Sequence, residues 1–338
     1  MINEVIKLVA PRRMEIFFEE ENIEENTIVV RPTYLSICAA DQRYYTGKRS
    51  KEILDKKLPL ALIHEAVGEV LYDPKNEFKK GDNVVLIPNT PIEKNEFIKE
   101  NYLRTSKFRA SSKDGFLQNV VLMRRDRIID IRQIDPKIAS LLEPVSVCVN
   151  AIEEFKNTAH KKRTTIGVWG CGSIGYITTL LLKRYFPDSK IIIFGTNEEK
   201  MRYFSFADEA IFTNQIPEGL KVDHAFECVG GKKSENAVSQ IIDCINPQGT
   251  ISLLGVSEEP IAIETRMVLE KGLKLIGDSR SGYYDFKKAI EITQDKKVQD
   301  YIENIITDTI VVNNVNDIYT AFDKDLNNAF KTVLKWNI

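Results

Sequence analysis

The chain has 338 residues, a length that suggests two domains. Its hydrophobic content of 43% and charged content of 28% are those of an ordinary globular protein. A net charge of −2 with both signs interspersed excludes the electrostatic footprint of a nucleic-acid or anionic-membrane binder.

No apolar run approaches transmembrane length and Met1-Ile-Asn-Glu does not open a signal peptide, so a cytoplasmic protein is expected. Cys38, Cys148, Cys171, Cys228 and Cys244 are scattered with no C-x-x-C, which writes neither a disulfide framework nor a cysteine-cluster zinc knuckle. The only histidines are His64, His160 and His224, which narrows any metal or acid/base proposal.

From Met1 to about Val121 the pattern is β-rich. Strands are expected at Thr27–Leu35, Leu62–Leu71 and Asn83–Ile87, with Lys80-Gly-Asp82 as the turn before the last of these. Asp41–Tyr45 reads as a short helical turn, Lys75–Lys80 as a solvated loop, Glu93–Ser112 as a polar lobe and Phe116–Leu122 as a strand. Asp135 caps a helix with Pro136 in its first turn, and a second helix is expected from about Val145 to Phe155. From Arg163 to about Gly277 strands alternate with helices: Thr165–Trp169, Lys190–Phe194, Glu209–Phe212, Val222–Cys228, Thr250–Gly255 and Leu273–Gly277. Such alternation predicts a parallel sheet covered on both faces. The tail returns to mixed structure: a helix over Asp285–Gln294, a strand near Asp308–Val312, a helix over Val315–Leu326 and a last strand at Lys331–Leu334.

Between the first strand of the alternating region and its helix lies Gly170-Cys-Gly-Ser-Ile-Gly175, with G-x-G-x-x-G spacing. In a dinucleotide-binding turn the first glycine makes the tight bend, the second admits a pyrophosphate close to the backbone, and the third lets helix and strand pack closely. The following helix start offers unpaired N–H groups to that phosphate. Gly170, Gly172, Ser173, Ile174 and Gly175 are therefore candidate cofactor residues. The six strands with this turn after the first predict a doubly wound Rossmann sheet inserted between two parts of a β-rich domain.

Four further segments add to the glycine turn. Ser36-Ile-Cys-Ala-Ala-Asp41 resembles G-x-C-x-[ST]-D, and Ile63-His-Glu-Ala-Val-Gly-Glu-Val70 resembles G-H-E-x-x-G-x-V. Lys80-Gly-Asp-Asn-Val84 resembles the G-D-x-V turn, and Leu142-Glu-Pro-Val-Ser-Val147 resembles E-P-L-[SA]-V. With Phe226-Glu-Cys-Val-Gly230, this combination resembles the zinc-dependent medium-chain dehydrogenase/reductase family along nearly the whole chain.

The resemblance implies a chaperonin-10-like catalytic domain in two parts, residues 1–147 and 279–338, around a Rossmann domain over 148–278, with the active site in the cleft between them. It also implies a catalytic zinc held by Cys38 and His64 with Glu65 and Glu143, Asp41 orienting a ligand from behind. Thiolate, imidazole and carboxylate donors suit a catalytic zinc that keeps one position open. Where relatives place Ser or Thr two residues after the cysteine, this chain has Ala40, which cannot relay a proton. No cysteine lies between Pro88 and Leu122, so the structural zinc of some relatives is not expected.

The second strand of the alternating region ends at Gly195, where NAD-binding domains carry an acidic residue for the ribose 2′-hydroxyl. Its absence, with Thr196, Asn197 and Lys200 (and Arg202) beside it, predicts NADPH. Within the family the likeness runs to the ribulose-5-phosphate reductases that make ribitol 5-phosphate for teichoic acid or capsule synthesis. A homodimer working alongside a cytidylyltransferase is then expected. The alternative is an NAD-linked polyol dehydrogenase, like sorbitol dehydrogenase, acting on an unphosphorylated sugar alcohol. For a sugar-phosphate substrate, Arg43, Tyr44 and Arg280 are the candidate contacts.

Overall fold

The structure, a computed structural model, describes all 338 residues. They form two compact units, Met1–Ser146 with Ser281–Ile338, and Val147–Arg280. The expected boundaries were 147/148 and 278/279. The second unit keeps Arg280, whose carbonyl accepts from Asn150 Nδ2 at 3.4 Å.

The first unit opens with the antiparallel hairpin β1 (Ile2–Ala10) and β2 (Arg13–Glu20), followed by β3 (Thr27–Ser36). Helices α1 (Ala39–Tyr45) and α2 (Lys51–Lys57) lead to β4 (Glu65–Tyr72) and β5 (Asn83–Leu86). The lobe is held by a two-strand ladder, β6 (Asn89–Thr90) with β7 (Lys107–Phe108). Then come β8 (Val121–Arg124), β9 (Ile128–Asp130), α3 (Pro136–Ala139) and α4 (Leu142–Thr158).

The strand expected over Leu62–Leu71 begins only at Glu65, because Ile63 adopts φ +68 and breaks the extended run. The strand expected over Phe116–Leu122 is reduced to Val121–Arg124. Before it, Phe116 N donates to Ile63 O at 2.8 Å, bracing the irregular Ala61–His64 loop. Only glycine fits at position 115, since a Cβ there would lie 2.2 Å from Leu62 O. The second helix starts at Leu142 rather than Val145, which places Glu143 in its first turn; Pro144 is tolerated there because the first-turn N–H has no helical partner.

The second unit runs β10 (Thr165–Trp169), α5 (Ser173–Tyr185), β11 (Lys190–Gly195), α6 (Glu198–Met201), β12 (Glu209–Phe212), β13 (His224–Glu227), α7 (Ser234–Cys244), β14 (Thr250–Leu253), α8 (Thr265–Lys271) and β15 (Lys274–Gly277). Its sheet has the order β12-β11-β10-β13-β14-β15, all parallel. This is the doubly wound arrangement, in which strand order reverses beside β10 and the glycine turn follows that strand. Ile166, Val168, Ile191, Ile193, Phe194, Ala225 and Phe226 are fully buried, as strands covered on both faces require.

The chain ends with α9 (Tyr283–Thr293), α10 (Lys296–Asn304), β16 (Ile306–Val312), α11 (Val315–Asp325) and β17 (Lys331–Trp336). These belong to the first unit, whose main sheet has the order β16-β17-β3-β4-β5-β9 with β8 also paired to β3. β17 enters beside β3, pairing Val333 with Ser36, while Glu65 pairs with Ser36 from the other side. That register brings residues some 270 positions apart in sequence into one site.

Candidate active site

The end of β3 and the start of α1 carry Cys38, the residue that caps α1. Asp41 fixes this corner: one carboxylate oxygen accepts from Cys38 N at 3.0 Å and the other from Ile63 N at 2.9 Å. It thereby ties the cysteine arm to the loop that presents His64. The same oxygen that holds Ile63 lies 3.6 Å from His64 Nδ1, which leaves Nε2 as the nitrogen free to ligate. Glu65 opens β4.

Ligand atoms of Cys38, His64 and Glu65 all lie within 4.8 Å of one another, and the two polar residues are buried. A thiolate, an imidazole and a carboxylate, gathered from two segments and braced from behind by Asp41, fit a catalytic zinc. Glu143 is outside that three-residue group but buried at the head of α4. Burial pushes its carboxyl up to about 7, with His64 opposing and Glu65 reinforcing the shift. For His64, burial works against the imidazolium, yet Asp41 and Cys38 outweigh it and hold the ring well above the usual histidine range.

Two features of this centre were not read from the sequence. Lys331, at the start of β17, is buried and donates to Ile37 O at 2.8 Å, and its ammonium lies 2.8 and 2.7 Å from the two oxygens of Glu65. It clips the cysteine arm to the carboxylate arm and neutralises one of the negative charges gathered there. The available signal was a lysine at the head of a strand whose middle, Val333-Leu334, is apolar. The second feature is Ile63, which stands where the family pattern has glycine and keeps the positive φ that glycine would supply.

Of the expected substrate contacts, Arg43 lies half-buried on α1. Tyr44 is buried in the core of the first unit, with the Arg49 guanidinium 4.9 Å above its ring. Arg280 ends the second unit with a left-handed backbone, φ +59.

In the second unit the glycine turn has the shape its spacing implies. Gly170 has φ +119, and its N–H donates to Phe194 O at 2.9 Å, pinning the turn to β11. A Cβ at Gly175 would lie 1.7 Å from Gly170 O, so helix and turn touch there. A Cβ at Gly172 would meet nothing within 4 Å, leaving the backbone open to a ligand at the head of α5, where Ser173 and Ile174 follow. These features fit a dinucleotide pyrophosphate.

At the end of β11, Gly195 is buried while Thr196 and Asn197 are exposed. Asn197 Oδ1 caps α6 by accepting from Lys200 N at 2.9 Å, and Arg202 is engaged with Glu198 at 2.7 Å. His224 is packed inside β13. Its Nδ1 accepts from Thr250 N at 3.1 Å and its Nε2 lies 3.0 Å from Lys162 O. His160 is half-buried with its ring centroid 4.3 Å from that of His224.

Residues 24–133 match the family described as the alcohol dehydrogenase GroES-like domain, and residues 136–336 match the glucose dehydrogenase C-terminus. The chain belongs to the medium-chain dehydrogenase/reductase family of zinc-type alcohol dehydrogenases and is an oxidoreductase. It is 50% identical to the ribulose-5-phosphate reductase of Bacillus spizizenii, covering 100% of both chains. It is 49% identical to ribulose-5-phosphate reductase 1 of Staphylococcus aureus, covering 99% of both. The crystal structure of S. aureus TarJ in complex with NADPH is similar with a TM-score of 0.90 at 45% identity, covering 100% of each chain. L-Idonate 5-dehydrogenase of Escherichia coli, at 17% identity and a TM-score of 0.86, shares the fold.

Proposed function

We propose that this chain reduces D-ribulose 5-phosphate to D-ribitol 5-phosphate with NADPH, using zinc held by Cys38, His64 and Glu65 with Glu143 as a further carboxylate. The observation that carries this reading is the convergence of the three ligand side chains in a chain half identical, end to end, to ribulose-5-phosphate reductases. Zinc, when bound, supplies a Lewis acid for the C2 carbonyl. NADPH supplies the hydride.

The protein's own part is positioning. Asp41 orients Cys38 and His64, and Lys331 pairs with Glu65 and fixes its carboxylate in place. The glycine turn and the head of α5 receive the pyrophosphate, and Gly195 removes the carboxylate that would repel a 2′-phosphate. Thr196, Asn197 and Lys200 line that position. Arg43 or Arg280 takes the sugar phosphate, because an arginine fork matches its oxygens. Ala40 carries no hydroxyl, so protonation of the product does not pass through that side chain. The product suits a cytidylyltransferase of the CDP-ribitol pathway. A homodimer formed through the outer edge of β15 completes the reading; β15 is hydrogen-bonded to β14 alone.

The test is a substrate and cofactor profile with the purified protein. The expected result is rapid NADPH oxidation with ribulose 5-phosphate and a KM at least about tenfold lower than for free ribulose, the effect of losing charge-assisted hydrogen bonds to the phosphate. Equal activity on phosphorylated and free sugars overturns the substrate assignment in favour of a polyol dehydrogenase. Arg43→Ala and Arg280→Ala both leaving that KM unchanged removes the two arginines from the phosphate site.

A further inference from the structure

Position 195, where the acidic residue is absent, is closely surrounded by side chains. A Cβ built on Gly195 would lie 2.3 Å from Met201 Sδ and 2.9 Å from both Cys171 Cβ and Cys171 Sγ. Met201 and Cys171 are themselves buried, at 7% and 8% exposure. The backbones around this point are tied together. Gly170 N is bonded to Phe194 O at 2.9 Å, which fixes the turn carrying Cys171 against the end of β11. Thr213 N donates to Gly195 O at 3.0 Å, which fixes the other side of Gly195 to the strand that follows α6. Met201 N donates to Asn197 O at 3.0 Å, which fixes the backbone from which the Met201 side chain reaches over the glycine. Trp169 and Phe194 stack with ring centroids 3.8 Å apart, stiffening the two strand ends beneath.

We infer that Cys171 and Met201 are specificity-determining residues. Their side chains fill the volume in which an acidic side chain at position 195 would begin, and so bar the carboxylate that recognises an unphosphorylated ribose. This rests on the NADPH reading above and deepens it. The cofactor preference is built from below the binding surface, by packing, as well as by Thr196, Asn197 and Lys200. A single substitution to an acidic residue at 195 therefore does not convert the protein to NADH. The carboxylate becomes admissible only when the sulfur of Met201 and the Cβ of Cys171 are removed with it.

The experiment uses the full chain in two measurements. The first is the melting temperature of cofactor-free wild type, Gly195→Ala, Met201→Ala and the double variant. Gly195→Ala is expected to melt well below wild type, and Met201→Ala is expected to recover part of that loss, giving coupling between the two positions. Gly195→Ala melting with wild type, or strict additivity, overturns the inference whatever cofactor the protein uses. The second measurement is the dissociation constant for NADPH and for NADH by nucleotide fluorescence. It compares wild type, Gly195→Asp, and Gly195→Asp combined with Met201→Ala and Cys171→Gly. The triple variant is expected to bind NADH at least about tenfold more tightly than Gly195→Asp alone, as one restored pair of charge-assisted hydrogen bonds would give. Equal NADH affinity in those two variants overturns the inference. A wild-type preference for NADH overturns the NADPH reading instead, while the melting data still decide whether the packing around Gly195 excludes a side chain.

Discussion

Ile63 is a β-branched residue at φ +68, fully buried, one position before a candidate metal ligand. Its N–H is held by Asp41 and its carbonyl by Phe116 N, so the surroundings impose the left-handed backbone. Ile63→Gly and Ile63→Ala both lose the buried side chain. Only glycine relieves the backbone, by about 1 kcal/mol. The expected result, read by urea unfolding, is the reverse of the ordinary order: Ile63→Gly more stable than Ile63→Ala. The usual order, with alanine ahead, would show that this backbone is not strained.

Lys331 is the other residue whose role appears only in three dimensions. Removing one partner of a buried ion pair costs roughly 3–5 kcal/mol, because the remaining charge is stranded. Lys331→Met is expected to lose that much, with Lys331→Met/Glu65→Gln less destabilised than the single variant. A double variant no better than the single one would mean that the two side chains do not act as a pair.

At the scale of elements, His224 joins three pieces of the second unit: β13 itself, Thr250 at the start of β14, and Lys162 just ahead of β10. Both ring nitrogens are used and the ring is buried among Phe155 and His160. Burial, with the neighbouring His160, lowers its pKa to about 4. The unfolded chain therefore binds a proton between an ordinary histidine pKa near 6.5 and about 4, and the folded chain does not. The stability this provides is complete above pH 6.5 and is lost as pH falls toward 4, by on the order of 3 kcal/mol. Unfolding midpoints measured across that window should fall in wild type and fall less steeply in His224→Gln. Parallel profiles for the two proteins would assign the acid sensitivity to other groups.

At the scale of the whole molecule, the parallel sheet of the second unit ends on β12 and on the four-residue strand β15, which follows α8 with its exposed Leu269. An open edge of this kind is a template for pairing with another strand. The proposed homodimer predicts a solution mass twice that of the 38.6 kDa chain, measured by light scattering at micromolar concentration. A single species at the monomer mass would remove the β15 pairing.

Much of this protein is legible along the chain, because its determinants are local. Gly170-Cys-Gly-Ser-Ile-Gly175 between a strand and a helix specifies the nucleotide turn, and alternating apolar strands and helices specify a parallel sheet. Cys38, His64 and Glu65 are recognisable by the motifs around them. What the tertiary structure alone decided are contacts between residues far apart in sequence. Lys331 reaches Glu65 because β17 enters the sheet beside β3. Phe116 leaves the strand pattern to brace the His64 loop. Met201 and Cys171 close over Gly195 because the end of β11, the glycine turn and α6 meet at one point. Periodicity and turn chemistry report on neighbours within one element, whereas packing volume and buried charge compensation exist only once separate elements are brought together.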